Sequence, residues 1–240
     1  MISRLHYITQ DLPDFSHAEL AEFACDGGAD WVQLRVKHPL SVELRSQPSI
    51  VPSGERKQYE EWRRIAEETK MICKKYGAKL IINDNVQIAK EVGADGVHLG
   101  KEDMNPKEAR KILGNNFIIG GSTNTMEDVR RMMEDGVDYI GIGPYRFTST
   151  KENLNPVLGL EGIKNIIRSM SPSGGGSGGG IPIIAIGGIK LEDIEPLMQT
   201  GIHGVAVSSG INLEMDKSGA TNKFKHELAR INSNSSSANL

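Results

Sequence analysis

The sequence has little of several features that mark specialised classes of protein. Cys25 and Cys73 are the only cysteines among 240 residues, which argues against a disulfide framework and favours a reducing compartment. The amino terminus lacks the apolar stretch of a signal peptide, and no later apolar run is long enough to cross a bilayer. We therefore expect a cytoplasmic protein whose two thiols belong to the core.

An excess of charge of one sign is also missing. The formal net charge is −3, from 28 Lys and Arg against 31 Asp and Glu. A general nucleic-acid or membrane-surface binder needs a strong basic excess, so the sequence argues against both classes. The expected partners are small molecules, and an anionic one would need local positive charge or a metal ion.

What the chain has instead is a regular alternation of amphipathic helical patterns and short apolar runs. Glycine stands at five joints between a helix and the next strand, as expected of a residue that ends a helix in the left-handed conformation. These glycines are Gly28, Gly77, Gly93, Gly136 and Gly201. Such alternation, with strands rich in Val, Ile and Leu, indicates a parallel sheet with right-handed crossovers.

Eight such units predict an α/β fold, a single-domain (β/α)8 or TIM barrel over residues 1–231, with an open doubly wound sheet as the alternative. The expected strands lie near residues 5–8, 31–36, 79–83, 96–99, 117–121, 139–143, 182–186 and 204–208. The expected helices lie near residues 16–26, 58–75, 85–92, 105–113, 125–134, 159–169, 191–199 and 219–231.

Three segments interrupt this rhythm. Residues 38–57 form a long connection with several prolines after the second strand, and we expect it to be mobile rather than an active-site lid. Residues 173–180 are a Gly/Ser-rich loop typical of a flexible linker, natural or engineered. The polar tail at 232–240 is predicted to be disordered.

Polar side chains appear where the strands end, and in a parallel barrel function collects at the carboxyl ends of the strands. On the second strand, alternation places Gln33, Arg35 and Lys37 on one face, which in a barrel points into the lumen. A salt-bridge layer that fills the barrel is the alternative, but an unpaired buried charge is costly. We interpret the three side chains as a binding site for an anion or a heterocycle.

The opposite half of the lumen is expected to be lined by small residues. Facing the long side chains of the second strand, they would leave a ligand-sized hollow near the top, besides serving as complementary packing. The residues that alternation directs inward there are Gly120, Ser122, Gly141, Gly143, Ala185, Gly187, Ala206 and Ser208.

Two carboxylates follow neighbouring strands. Asp84 closes the third strand, directly after Asn83, and Asp103 follows the fourth strand. Because the ends of adjacent strands lie close together, the pair predicts a Mg²⁺ site that phosphate oxygens and water would complete. A helix cap is the alternative role for either carboxylate alone.

Further loops on the same face favour phosphate binding. Gly188 follows the seventh strand and Ser208-Ser209 the eighth, where these barrels recurrently cradle phosphate. After the sixth strand, Thr148-Ser149-Thr150-Lys151 is either a pyrophosphate clamp or an ordinary turn. The chain has no dinucleotide fingerprint or P-loop. His98 has no His or Cys partner at metal-ligand spacing and is predicted to be a structural histidine.

Five motifs, taken in order, resemble the thiamine-phosphate synthase family over nearly the whole chain. They are Gln33-Leu34-Arg35-Val36-Lys37, Ile82-Asn83-Asp84, His98 to Asp103, Gly143-Pro144 with Thr148 to Lys151, and Ala185 to Ile189. The resemblance implies a transferase that joins 4-amino-5-hydroxymethyl-2-methylpyrimidine diphosphate to 4-methyl-5-(2-hydroxyethyl)thiazole phosphate, giving thiamine phosphate and pyrophosphate. It also implies a dissociative mechanism, in which the pyrimidine ionises first and the thiazole nitrogen captures the cation.

The resemblance further implies a role for each candidate residue. Mg²⁺ would be held by Asp84 and Asp103, and the pyrimidine would be oriented by Gln33 and Asn83. The diphosphate would be bound by the catalytic set Arg35, Lys37, Ser122 and Lys151. The thiazole phosphate would be bound by Gly188, Ser208 and Ser209, with Thr148 and Thr150 nearby.

The chain departs from the family pattern in three places. Lys101 stands where the family more often has Gln, Asn124 where it often has His, and the long insert follows Lys37 directly. The nearest rival activity is a thiazole tautomerase on the same barrel, which uses a histidine after the fifth strand; Asn124 weighs against it. A non-catalytic protein that binds thiamine phosphate is the second rival, because a fold alone does not determine function.

Overall fold

A computed structural model describes residues 1–37, 55–148, 155–170 and 180–237, with side chains described as far as residue 231. Within these residues, eight parallel strands close a barrel in the order of the sequence. The strands are β1 (Leu5–Ile8), β2 (Trp31–Leu34), β3 (Lys79–Asn83), β4 (Gly96–Leu99), β5 (Ile118–Thr123), β6 (Tyr139–Ile142), β7 (Ile183–Ile186) and β8 (Gly204–Val207). Because β1 pairs with both β2 and β8, the sheet has no edge, and the predicted barrel is confirmed.

Helices connect the strands and surround the barrel. They are α1 (His17–Asp26), α2 (Arg56–Tyr76), α3 (Val86–Val92), α4 (Pro106–Leu113), α5 (Met126–Glu134), α6 (Gly159–Met170), α7 (Ile194–Met198), α8 (Ser209–Asn212) and α9 (Lys217–Ser237). The five joint glycines all have positive φ, between 61° and 94°, as predicted. No helix in the described part of the chain is long and apolar enough to cross a membrane.

The interrupting segments differ from expectation at their margins. Helix α2 begins at Arg56, inside the segment predicted to be mobile, and residues 38–54 lie outside the described ones. Helix α9 continues through Ser237, although the tail was predicted to be disordered from residue 232. Once a packed segment has nucleated a helix, each further residue adds a hydrogen bond, so polar residues can extend it. Of the Gly/Ser-rich loop, the structure describes Gly180 alone.

The core has two layers. Most buried side chains, including the free thiols Cys25 and Cys73, lie between the barrel and its helices. A second cluster fills the lower lumen of the barrel: Ile8, Trp31, Ile81, Tyr139, Ile184 and Ala206. The ring of Trp31 stacks on His6 with centroids 4.2 Å apart and meets Tyr139 edge to face. The lumen is therefore closed below, and it can hold a ligand only at the carboxyl ends of the strands.

The lumen also corrects one expectation. Ile184 belongs to the inner cluster and Ile186 packs against it, whereas Ala185 packs in the outer layer, so the predicted inward direction of Ala185 is wrong. The residues of β7 are apolar on both faces, so the sequence has no alternation from which to choose a face. A shift of one residue reverses every side chain of a strand.

Candidate active site

Two connected pockets open at the carboxyl ends of the strands. The carboxylate-side pocket is lined by Gln33, Asn83, Asp84, His98, Gly100, Lys101, Glu102 and Asp103. The glycine-side pocket is lined by Thr123, Gly141, Gly143, Pro144, Thr148, Gly187, Gly188, Ile189, Ala206, Ser208 and Ser209. The residues that line both are Ile8, Arg35, Ser122, Asn155 and Ile186. The two pockets therefore form one site with two chambers and a shared wall.

Strand β2 supplies an amide and a cation to this site. Gln33 is buried, and its Nε2 donates a hydrogen bond to Asn83 Oδ1 on the adjacent β3 at 2.6 Å. Arg35 is half-buried and lines both chambers, and its backbone amide donates to Thr9 Oγ1 at 3.0 Å. A guanidinium in this position can meet an anion in either chamber.

The other two predicted cations, Lys37 and Lys151, are not among the described residues that line the two chambers. Lys37 is exposed, its backbone amide donates to Asp11 Oδ2 at 3.1 Å, and it lines neither chamber as far as the chain is described. Strand β2 ends at Leu34, so strict alternation stops before Lys37. Thr150 and Lys151 lie outside the described residues, whereas Thr148 lines the glycine-side chamber.

Both predicted metal ligands line the carboxylate-side chamber. Asp84 has φ 66°, an uncommon conformation for a residue other than glycine, and such strain clusters at functional sites. Asp103 Oδ2 accepts a hydrogen bond from the Gly100 amide at 2.7 Å. The alternative role as helix caps does not apply, because Asn85 and Asn105 supply the capping oxygens of α3 and α4.

These two carboxylates do not form a complete metal site by themselves. Across residues 1–37, 55–148, 155–170 and 180–231, no group of three or more His, Cys, Asp or Glu side chains is arranged to hold a metal ion. Two carboxylates with further positions left for phosphate oxygens and water are, however, the usual protein contribution to a Mg²⁺ site.

The glycine-side chamber depends on a close approach between the loops after β6 and β7. A Cβ on Gly187 would lie 2.7 Å from Pro144 Cβ, and one on Gly188 would lie 2.9 Å from the Phe147 carbonyl oxygen. The same loops are joined by a forked ion pair, in which Arg146 Nη2 and Nη1 lie 2.7 Å and 2.9 Å from the two carboxylate oxygens of Asp193. Only glycine fits at positions 187 and 188, because a Cβ there would overlap the loop after β6.

Three residues gain a role that the sequence did not indicate. Asn155 lines both chambers. Asn124 is buried, and its Nδ2 donates to the carbonyl oxygens of Gly143 at 2.9 Å and Pro156 at 3.0 Å, so it joins the two ends of the loop after β6. Lys101 forms a salt bridge with Asp128. The departures from the family pattern at positions 101 and 124 were the signals in the sequence, and Asn155 carried none.

His98 is buried and lines the carboxylate-side chamber. Its Nδ1 lies 2.9 Å from Tyr139 Oη and its Nε2 lies 2.9 Å from Ser122 Oγ. Both ring nitrogens are thus hydrogen-bonded, as expected of a structural histidine, although one partner is a residue of the predicted site.

Known proteins resemble this chain along most of its length. A family profile described as thiamine monophosphate synthase matches residues 5–211. A thiamine-phosphate synthase of Bacteroides fragilis is 45% identical over 207 residues, covering 86% of this chain and 91% of the relative. One of Flavobacterium johnsoniae is 44% identical over 217 residues, covering 90% and 92%.

A solved structure agrees with these relatives. The thiamine phosphate pyrophosphorylase from Pyrococcus furiosus superposes with a TM-score of 0.75 at 28% identity, over 95% of this chain and 96% of that one. The profile match covers all eight strands and the two-chambered site. The chain therefore belongs to the thiamine monophosphate synthase family.

Proposed function

We propose that this chain is a thiamine-phosphate synthase that works at the two-chambered site, joining the pyrimidine diphosphate to the thiazole phosphate with release of pyrophosphate. The observation that carries the proposal is the shared wall, because Arg35 and Ser122 line both chambers. Two anionic substrates can then lie side by side, with the leaving diphosphate and the incoming thiazole on either side of that wall. Holding both reactants in one site removes much of the entropic barrier of a two-substrate reaction.

The carboxylate-side chamber suits the pyrimidine diphosphate. The bonded amides of Gln33 and Asn83 leave one carbonyl oxygen and one amide group to orient a heterocycle. Arg35 and Ser122 would bind the diphosphate. On the family resemblance we assign the same role to Lys151 and to Lys37, whose exposed side chain would turn toward the chamber when the diphosphate binds. The reaction needs stabilisation of the charge that develops on the leaving group, which fixed donors and cations supply without a general base.

Asp84 and Asp103 fit a Mg²⁺ ion. Both offer hard carboxylate oxygens to the chamber that holds Arg35, and neither is used as a helix cap. When bound there, Mg²⁺ would act as a Lewis acid that offsets the charge on the departing diphosphate.

The glycine-side chamber suits the thiazole phosphate. Gly188, Ser208 and Ser209 lie together at the ends of β7 and β8, with Thr148 on the facing loop. Glycine exposes its backbone amide to an oxyanion, and serine hydroxyls add donors. We assign Thr150 to the same phosphate on the family resemblance.

A tautomerase is less well supported. Both protons on Nδ2 of Asn124 are engaged with backbone carbonyls, and an amide has no pKa suited to proton transfer near neutrality. Mg²⁺-independent isomerisation of the thiazole would favour this rival, and tight binding of thiamine phosphate without turnover would favour a non-catalytic protein.

The test is a direct assay with matched variants. Purified protein given both substrates and Mg²⁺ should release pyrophosphate and form thiamine phosphate, and a failure to form either would sink the proposal. Asparagine tolerates the left-handed backbone conformation, so Asp84→Asn should leave the barrel folded. It should lower kcat on the order of 100-fold. The control Asp30→Asn changes a surface carboxylate bonded to Ser3 before β2 and should retain activity. Full activity of Asp84→Asn would refute the metal assignment.

A further inference from the structure

Two serines of the site, one in each group of proposed anion ligands, accept a hydrogen bond from a buried side chain that is itself anchored on a tyrosine. The first set joins Tyr139, His98 and Ser122, and the second joins Tyr7, Asn212 and Ser208. The two sets share no member. Neither His98 nor Asn212 was assigned a role in the reaction above.

In the second set, every hydrogen bond has a defined direction. Asn212 Nδ2 donates to the carbonyl oxygen of Ile8 at 2.8 Å, which fixes the orientation of the amide because a carbonyl can only accept. Tyr7 Oη therefore donates to Asn212 Oδ1. The second proton on Nδ2 is directed to Ser208 Oγ at 3.2 Å. Ser208 Oγ is an acceptor in this arrangement.

In the first set, the direction follows from burial. Burial raises the pKa of the Tyr139 hydroxyl, so the group keeps its proton and must place it on an acceptor. Among the described residues, His98 Nδ1 is the one acceptor within reach. The tautomer with the proton on Nε2 satisfies Tyr139 and donates to Ser122 Oγ, whereas the other tautomer leaves a buried phenol proton unsatisfied.

Each serine hydroxyl therefore has one of its two lone pairs engaged by the protein, and its proton is left for the site. Within the part of the chain that the structure describes, the hydroxyls of Ser122 and Ser208 make these hydrogen bonds and no other. Both serines line the glycine-side chamber, and Ser122 lines the carboxylate-side chamber as well. A hydroxyl held in this way has its proton free to donate to a ligand, and a donor is what an anion requires.

We infer that His98 and Asn212 are positioning residues that turn the hydroxyl protons of Ser122 and Ser208 toward the diphosphate and the thiazole phosphate respectively. This inference rests on the proposed function for the identity of the two anions. Asn212 lines neither chamber, and both ring nitrogens of His98 are engaged by Tyr139 and Ser122, so each residue acts through its serine. Because we assign Ser122 to the diphosphate and Ser208 to the thiazole phosphate, each set should affect chiefly the binding of its own anion.

Calorimetry with two ligands tests the inference whether or not the protein turns over. Tyr139→Phe removes the phenol that selects the His98 tautomer and should weaken the binding of pyrophosphate with Mg²⁺ about threefold to tenfold, the effect of one neutral hydrogen bond. Asn212→Leu should weaken the binding of thiamine phosphate by a similar factor. Each variant should leave the other ligand within twofold.

Double-mutant cycles distinguish positioning from general loosening of the site. In a Ser122→Ala background, Tyr139→Phe should cause no further loss, and Asn212→Leu should cause none in a Ser208→Ala background. The control Tyr59→Phe removes a buried phenol from the outer core and should change neither affinity. Equal losses with and without the serine, or equal losses for both ligands, would overturn the inference. If the variants show these binding effects but the original chain does not convert the substrates, the result would count against the proposed function and not against this inference.

Discussion

Replacing Gly188 by alanine is expected to damage the binding of thiazole phosphate more than it destabilises the fold. Gly188 has φ +64°, and a Cβ there would lie 2.9 Å from the Phe147 carbonyl oxygen and 3.0 Å from Arg146 Cβ. The carbonyl is backbone, so the contact is relieved only if the loop after β6 or the turn after β7 moves. Either movement displaces groups that we propose to hold the phosphate.

Gly136 provides a matched control for the conformational part of this effect. It has φ +75° and nothing lies within 4 Å of a Cβ placed on it. Gly136→Ala therefore carries only the cost of alanine in the left-handed region, about 1–2 kcal/mol, or a fall in Tm of roughly 2–8 °C. Gly188→Ala carries the same cost and also weakens a proposed hydrogen bond from this turn to the thiazole phosphate. A hydrogen bond to a charged group is worth about 1.5–3 kcal/mol. That loss corresponds to a rise in KM of about tenfold to a hundredfold.

Steady-state kinetics and thermal unfolding measure the two effects separately. KM for the thiazole phosphate should rise in Gly188→Ala and stay within twofold of its original value in Gly136→Ala. KM for the pyrimidine diphosphate should change less than KM for the thiazole phosphate in Gly188→Ala, since neither Gly188 nor Phe147 lines the carboxylate-side chamber. The reasoning is refuted if Gly188→Ala leaves KM for the thiazole phosphate unchanged, or if Gly136→Ala raises it equally.

Two further predictions concern the residues that support the site. Asn124→Ala removes the hydrogen bonds to Gly143 and Pro156 and should lower the free energy of unfolding by about 1–3 kcal/mol; an unchanged urea midpoint would contradict this. Burial raises the pKa of Asp128, but hydrogen bonds from Lys101 and two backbone amides outweigh it, so the pKa lies below its usual value. The resulting stabilisation is present above the unfolded pKa, about 3.9, and is lost as the pH falls through the folded pKa. In urea unfolding, Asp128→Asn should thus be less stable than the original chain at neutral pH and equal to it below the folded pKa; a difference independent of pH would count against the assignment.

Much of the fold was predictable because its signals are local. Gly77 and Gly93 end their helices through their own left-handed conformation, which is a local property, and eight alternating units of parallel strand and helix have few ways to close. The meeting of Asp84 and Asp103 in one chamber was predictable for a related reason, since the carboxyl ends of adjacent parallel strands lie on the same face.

Other features depend on contacts that no local pattern encodes. Ile186 rather than Ala185 faces the lumen, because β7 is apolar on both faces and only packing selects its register. Lys37 lies outside the chambers, since β2 stops at Leu34. Asn124 supports a loop instead of serving chemistry, which its position after β5 did not reveal.

The two hydrogen-bonded sets that end at Ser122 and Ser208 show most clearly which features depend on the tertiary structure. The sequence by itself determined that Ser122 and Ser208 stand at the ends of strands, through the periodicity of the apolar runs. Their hydrogen-bonding roles were decided only by closure of the barrel, which brings together Tyr7 and Asn212, 205 residues apart, and Tyr139 and His98, 41 residues apart. Hydrogen bonds between distant residues depend on the packing of the whole chain, and no short stretch of sequence contains both partners.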